Sequence, residues 1–158
     1  MYLESAKIGT EGGHEAGLRL LQKMYGQYYG LPMPPVAKTP LGKPYFIDSP
    51  VYFSISHTPN RVFCVLSDRP VGIDAEEADR NIRLELSNKI LSPSEKVRYD
   101  DAQDKRAALL RFWVLKEADA KCTGYGLQGY PNHTDFSPDD PRIILMDGCF
   151  VAIIRQDI

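Results

Sequence analysis

Two acidic residues separated by a single alanine lie in the strand-like run VGIDAE at 71–76. Because side chains alternate along a strand, Asp74 and Glu76 emerge on one face while Ile73 and Ala75 point towards a core. Two converging carboxylates suit Mg²⁺, which binds through one or two carboxylates and completes its octahedron with water and phosphate oxygens. A strand end with merely solvated acids would show the same pattern, so this pair alone does not decide the function.

A second group of chemically capable residues lies in the helical run FWVLKEADAK at 112–121. Glu117 and Lys121 are four residues apart and share a helix face with Trp113. A carboxylate near a cation and a metal is the composition that a proton acceptor in phosphoryl transfer requires. An ordinary surface pair, with Trp113 in the core, is the alternative. Lys116 is one residue off this face and is expected to meet phosphate or solvent.

Two further polar groups precede these motifs. In the run SISHT at 54–58, alternation places Ser54 and Ser56 on one strand face, and His57 lies where the strand gives way to a loop. A histidine there can bind phosphate, ligate a metal or close a turn. Lys43, between a glycine and a proline, belongs to a basic loop that can meet an anion or simply turn the chain.

The elements that must position these residues alternate between helices and short strands. After a polar start, apolar spacing predicts a helix over 11–29, and four prolines predict an extended loop before Gly42. Strand-like runs follow at 51–56, 61–67, 71–76, 142–146 and 149–154, the last two joined by the hairpin turn Asp147-Gly148.

Two helix starts and stops can also be read from the sequence. The run SPSE at 92–95 predicts a capping box, with Ser92 as the cap and Glu95 closing it. A longer helix is predicted over 105–121, ending near Gly124. The order of elements lacks the regular βα rhythm of a parallel sheet and predicts an α+β fold. We expect two similar helix-plus-antiparallel-sheet halves, at residues 1–70 and 71–158.

Composition narrows the class of protein. With 43% hydrophobic and 25% charged residues, the chain fits a globular domain, and a net charge of −2 argues against nucleic acid as a partner. Three widely spaced cysteines predict reduced thiols rather than a disulfide frame or zinc site. No signal-peptide core and no run of about 20 apolar residues is present, so we expect a cytoplasmic protein that does not enter a membrane.

Taken together and in this order, the motifs resemble those of the phosphopantetheinyl transferase family. GKPYF at 42–46, FSISHT at 53–58, VGIDAE at 71–76 and FWVLKEADAK at 112–121 are similar to its successive signatures. The resemblance implies the phosphopantetheinyl transferase-like fold. Because an SISH strand precedes the GIDxE segment, the chain resembles the pseudo-dimeric, surfactin-synthetase-activating type. Coenzyme A then binds in the cleft between two halves.

The same resemblance implies a set of residue roles. Asp74, Glu76 and Glu117 would hold Mg²⁺, Glu117 would also accept the proton of a carrier serine, and Lys121 would pair with the phosphate that bears the pantetheine arm. The implied reaction moves phosphopantetheine from coenzyme A, the co-substrate, to an apo acyl, peptidyl or aryl carrier protein. It releases adenosine 3′,5′-bisphosphate. A non-catalytic module that binds coenzyme A or a carrier protein is the alternative, and the chain is expected to be a monomer or homodimer.

The nucleotide end of coenzyme A would meet the first half of the chain. His57 with Ser56 would contact the 3′-phosphate, and Lys43 would lie near the adenine. Members of this type usually begin with an extra strand and helix whose basic residues grip the 3′-phosphate. Those basic residues have no evident counterpart here, so we expect a shortened N-terminal half.

Overall fold

The computed structural model describes residues 1–126 and 134–157. The strands are β1 (Tyr2–Lys7), β2 (Val36–Lys38), β3 (Pro44–Phe46), β4 (Tyr52–His57), β5 (Arg61–Ser67), β6 (Val71–Glu77), β7 (Ile143–Met146) and β8 (Cys149–Arg155). The helices are α1 (Gly13–Tyr29), α2 (Ser87–Ile90), α3 (Pro93–Asp101) and α4 (Lys105–Thr123), with a 3₁₀ turn at Leu84–Leu86.

Two three-stranded antiparallel sheets carry the fold, one in the order β1-β5-β4 and the other in the order β6-β8-β7. In the first sheet, β1 precedes helix α1 and lies at an edge, and the last strand, β5, is central. In the second sheet, β6 precedes helix α4 and lies at an edge, and the last strand, β8, is central. The predicted α+β class is therefore confirmed. The matching strand order supports two similar halves, while their division at residue 70 stays a prediction.

Three apolar clusters hold these elements together. Helix α1 packs on the first sheet through residues such as Leu21 and Met24, and α4 packs on β6 and β8 through residues such as Leu115 and Phe112. The third cluster lies between the two sheets and includes Phe63 of β5 and Ile73 of β6, both fully buried. The sheets thus meet where β6 crosses the first half.

Most element positions agree with the sequence predictions. Ser92 caps α3 in a complete capping box with Glu95. Helix α4 ends at Gly124, whose φ of 82° is left-handed and favours glycine. Asp147 and Gly148 form the hairpin turn between β7 and β8, both with positive φ. The three cysteines are free and buried, as expected.

In the first half, one strand was missed and one loop prediction was wrong. The polar start forms strand β1, which pairs with β5 from Tyr2 opposite Leu66 to Lys7 opposite Arg61. As an edge strand it mixes polar and apolar residues without clear alternation, so the pattern gave no signal. The proline-rich segment, expected to be a loop, contains the short hairpin of β2 and β3. Pro44 is tolerated there because it is the first residue of its strand.

Within the described ranges, none of the helices is long and apolar enough to cross a membrane.

Candidate active site

Strand β6 and helix α4 approach each other closely at Gly72, where any side chain would collide with the helix backbone. This contact brings the acidic face of β6 against one face of α4. Asp74 and Glu76 project from the strand, and Glu117 and Lys121 project from the helix. The Asp74 carboxylate raises the pKa of both Glu76 and Glu117, and Glu76 also raises the pKa of Glu117, so the three lie within electrostatic reach of one another.

Asp74 is the buried centre of this group, and burial raises its pKa above the ordinary value while the Lys121 ammonium opposes that rise. Its Oδ1 accepts hydrogen bonds from Lys121 Nζ at 2.7 Å and from Ser56 Oγ at 3.0 Å. Its Oδ2 is equally buried and has no hydrogen-bond partner among the described residues. One carboxylate oxygen is thus saturated and the other is left for a ligand.

Glu76 is half-buried at the outer end of the acidic face. Burial is the main cause of its raised pKa, and hydrogen bonds from Arg80 and Trp113 lower that pKa in part. Arg80 was not predicted from the sequence, because its turn after β6 carried no motif. The helical spacing predicts Trp113 on the Glu117 face, and its effect on the pKa of Glu76 agrees with that prediction.

Glu117 is half-buried, and its pKa is raised to about 7. Burial is the largest cause, the Asp74 carboxylate raises the pKa further, and Lys121 opposes both effects. A carboxyl group with a pKa near 7 exchanges protons readily at neutral pH, which is the property a general base needs.

A cavity of about 300 Å³ opens beside Glu117 between the two halves. Its walls include Lys43, Phe53, Ser54, Ile55, Glu117 and Lys121. Lys43 reaches across and donates from Nζ to the carbonyl oxygen of Cys122 at 2.5 Å, near the C-terminus of α4. Burial lowers the pKa of Lys43. The predicted basic loop therefore lies in the same cavity as Glu117 and Lys121.

The two serines of β4 connect the sheets. Ser54 Oγ accepts from the Ile73 amide at 3.1 Å, and Ser56 Oγ accepts from the Ala75 amide at 3.2 Å while donating to Asp74. They share one face, as predicted, and that face meets β6. At the junction of the two sheets, these hydroxyls accept the backbone N–H groups of β6, as backbone carbonyl oxygens do between neighbouring strands of one sheet.

His57 lies apart from these residues at the end of β4. Its side chain is exposed, and its ring packs so closely on the start of α1 that a Cβ at Gly13 would lie 2.5 Å from it. The ring Nδ1 is 3.3 Å from the Thr58 carbonyl oxygen. The structure thus gathers Asp74, Glu76, Glu117 and Lys121, and it leaves His57 outside the cavity wall.

The expectation for Lys116 was wrong. Lys116 is buried, and its Nζ lies 2.9 Å from Oε2 of Glu95, which is fully buried. Glu95 also accepts the backbone N–H groups of Ser92 and Phe136, both at 2.9 Å. One residue of helix turns the side chain by about 100°, and this rotation carries Lys116 from the Glu117 face into the contact with α3. The capping box revealed Glu95 in the sequence, but not its ionic partner.

The carboxylates that the structure describes at this site have the chemistry of a divalent-cation site but are not gathered into a ready one. Among the residues that the structure describes, no three His, Cys, Asp or Glu side chains are gathered closely enough to form a ready metal site. The chemistry nevertheless fits a hard cation, since all the candidate donors are carboxylate oxygens and Asp74 Oδ2 is buried without a partner. A cation would also relieve the repulsion that raises the pKa of Glu117.

A family model described as the 4′-phosphopantetheinyl transferase superfamily matches residues 70–146, a range that contains β6, α4 and all four gathered residues. Over this range, about half of its length, the chain belongs to this superfamily. The match agrees with the resemblance of the GIDxE and WxxKEAxxK segments, which lie in the matched range.

Curated relatives carry the same description. The chain is 32% identical to the 4′-phosphopantetheinyl transferase gsp of Aneurinibacillus migulanus over 57% of its own length and 38% of that protein. It is 32% identical to psf-1 of Bacillus pumilus, over 68% and 48% respectively. It is 31% identical to HetI of Nostoc sp., over 71% and 52%. The chain therefore spans about half the length of these relatives or less.

Proposed function

We propose that this chain transfers the phosphopantetheine moiety of coenzyme A to a serine of an apo carrier protein. The observation that carries the proposal is the position of Glu117, whose carboxyl group lines the cavity beside Lys121. Its pKa is about 7, raised in part by the charge of Asp74. Membership of the superfamily supplies the reaction class, and the names of the relatives agree with it.

In this reaction the serine oxygen attacks the phosphorus that carries the pantetheine arm. A new P–O bond forms, the pyrophosphate P–O bond breaks, and adenosine 3′,5′-bisphosphate leaves with the bonding electron pair. Glu117 accepts the serine proton, directly or through a water molecule, since its carboxyl group lines the cavity beside Lys121. Lys121 provides the positive charge that faces the phosphate oxygens.

Asp74, Glu76 and Glu117 would hold Mg²⁺. When bound, the ion neutralises the charge that develops on the bridging and leaving oxygens. The support within this chain is the unpartnered Asp74 Oδ2 and the charge of Asp74, which raises the pKa of both Glu76 and Glu117. Arg80 pairs with the Glu76 carboxylate, and Arg80 and Trp113 both favour its ionised form.

For the nucleotide end, we propose that Lys43 lies near the adenine and that His57 with Ser56 recognises the 3′-phosphate. The position of Lys43 in the cavity wall and the exposure of His57 support these roles. Ser56 is buried and already bonds to Asp74 and Ala75, so its share is to hold the end of β4 in place.

The proposed function also includes a partner, an oligomeric state and a cellular compartment. The partner is an acyl, peptidyl or aryl carrier protein, and the chain acts as a monomer or homodimer in the cytoplasm. Three free, buried thiols are compatible with a reducing compartment.

The decisive test is intact-protein mass spectrometry of apo carrier proteins of the three kinds after incubation with the protein, coenzyme A and Mg²⁺. We expect a mass gain of one phosphopantetheine on at least one carrier, and its loss when the carrier serine is replaced by alanine. Binding of coenzyme A without any mass gain would support the non-catalytic module instead.

A further inference from the structure

The Lys121 ammonium has a position that its proposed role towards phosphate does not explain. Its Nζ donates to Asp74 Oδ1 at 2.7 Å and to the Ile73 carbonyl oxygen at 3.1 Å. Both acceptors belong to β6, so the ammonium is hydrogen-bonded to the strand at the wall of the cavity that Lys121 helps to line. Lys121 therefore already neutralises, through Oδ1, the carboxylate whose other oxygen, Oδ2, would bind a metal ion.

The charge balance around Asp74 explains why this contact forms. Three carboxylates, Asp74, Glu76 and Glu117, lie near one another, and burial raises the pKa of each. Arg80 pairs with Glu76 at the exposed end. Lys121 is the positive charge that opposes the raised pKa of both Asp74 and Glu117. An isolated buried carboxylate is costly, and a charged partner reduces that cost.

The ion pair between Lys121 and Asp74 can also be broken easily, so that Asp74 takes another partner. The Lys121 side chain is 34% exposed, whereas that of Asp74 is 9% exposed. A lysine has a flexible four-carbon stem and a compact charge, so its end can move towards solvent without exposing a core. Asp74 is held on β6 by the hydrogen bond from Ser56 and cannot follow. When Asp74 changes its partner, the side chain that moves is therefore that of Lys121.

We propose that Lys121 is a built-in counter-ion that competes with the divalent cation for Asp74 and is released towards the phosphates of coenzyme A when the cation binds. This inference rests on the proposed function, since it assigns a cation and a phosphate ligand to the site. Cation binding frees the ammonium, and the freed ammonium attracts the anion. Cation and coenzyme A therefore bind with positive coupling, which is reciprocal by linkage.

The test measures Mn²⁺ binding to the full chain by electron paramagnetic resonance, without carrier protein and without turnover. Replacing Lys121→Met removes the competitor, so the Kd for Mn²⁺ should fall by about tenfold, the lower end for a charged hydrogen bond. Lys121→Arg keeps a competing cation and should retain the native Kd. Lys43→Met removes a lysine from the same cavity that bonds to a backbone carbonyl, so it controls for simple loss of charge.

Coenzyme A supplies the second readout. It should tighten Mn²⁺ binding to the native protein, and this gain should shrink in Lys121→Met. Lys121→Gln, which keeps a donor for Asp74 and Ile73, serves if the methionine variant does not fold and should also bind Mn²⁺ more tightly than the native protein.

An unchanged Kd in the folded Lys121 variants, an equal gain in Lys43→Met, or no Mn²⁺ binding in any variant would overturn the competition. Since no transfer is measured here, such a result leaves the mass test of the native enzyme to decide the proposed function separately.

Discussion

Gly72 of β6 lies directly against the backbone of Ala118 in α4. A Cβ atom built on Gly72 would lie 1.9 Å from the Ala118 carbonyl oxygen and 2.4 Å from the Cys122 amide nitrogen. No real side chain tolerates such distances, so only glycine permits this approach of strand and helix. The approach sets how closely Asp74 and Lys121 can meet. The glycine of the GIDxE segment is thus a requirement of helix–strand packing.

Replacing Gly72→Ala should therefore force α4 away from β6 and destabilise the protein by about 1–3 kcal/mol or more, as overpacked cores do. Urea denaturation measures this loss. Gly26→Ala is the matched control, because Gly26 lies within α1 and a Cβ there meets nothing within 4 Å. This control should stabilise the protein by up to about 1 kcal/mol. Equal stability of native protein and Gly72→Ala would contradict the close packing.

The Glu117→Gln variant should retain the shape of the site and lose its base. Without a proton acceptor, the transfer rate should fall by roughly 10²–10⁴-fold, while the Kd for coenzyme A changes much less. Single-turnover kinetics and binding titrations separate the two. Asp119→Asn is a suitable control, since Asp119 is a half-buried acid of the same helix outside the proposed machinery. If binding collapses while the chemical step survives, Glu117 holds ligand instead.

The raised pKa of Glu117 also predicts a pH-dependent cost to folding. Because the pKa of Glu117 is about 7 in the folded protein and 4.5 for an ordinary glutamate, the folded state holds the proton more tightly. The stability of the native protein should therefore fall as pH rises from 4.5 through 7. With a chelator present to remove divalent cations, Glu117→Gln should have the larger free energy of unfolding at pH 8. The difference should be about 1 kcal/mol after allowance for solvent screening of a half-exposed group.

Urea denaturation of both proteins at pH 5 and at pH 8 checks this sign. The advantage of the glutamine variant should be present at pH 8 and nearly absent at pH 5. A native protein that is more stable than the variant at pH 8 would show that the Glu117 carboxylate is stabilised in the folded state rather than strained.

His57 is predicted to recognise the 3′-phosphate of coenzyme A. A charged hydrogen bond to phosphate is worth about 1.5–3 kcal/mol, or roughly 10-fold to 150-fold in affinity. The native protein should prefer coenzyme A over its 3′-dephospho form by about that factor, and His57→Ala should nearly lose the preference. Two pairs of dissociation constants provide the measurement. A mutant that discriminates as strongly as the native protein would make His57 a structural residue of the α1 contact.

The sequence predicted the parts of the site that follow from local periodicity. Alternation along β6 placed Asp74 and Glu76 together, and helical spacing placed Glu117 with Lys121. It could not predict contacts that depend on how the elements cross. The pairing of Lys116 with Glu95 arises from the packing of α3 on α4, and the bonds from Ser56 to Asp74 and Ala75 arise from the meeting of the two sheets. Strand β1 was missed because an edge strand need not alternate.

The most direct test of the central claim compares native protein with Asp74→Ala in the mass assay on an apo carrier protein, with coenzyme A and Mg²⁺. Loss of this carboxylate removes charge stabilisation worth several kcal/mol, so the native protein should convert the carrier and the folded variant should not, a fall of about a thousandfold or more. Glu77→Gln, next along β6 on the opposite face, is the control and should convert the carrier normally. Normal turnover by folded Asp74→Ala would contradict the assignment of this site.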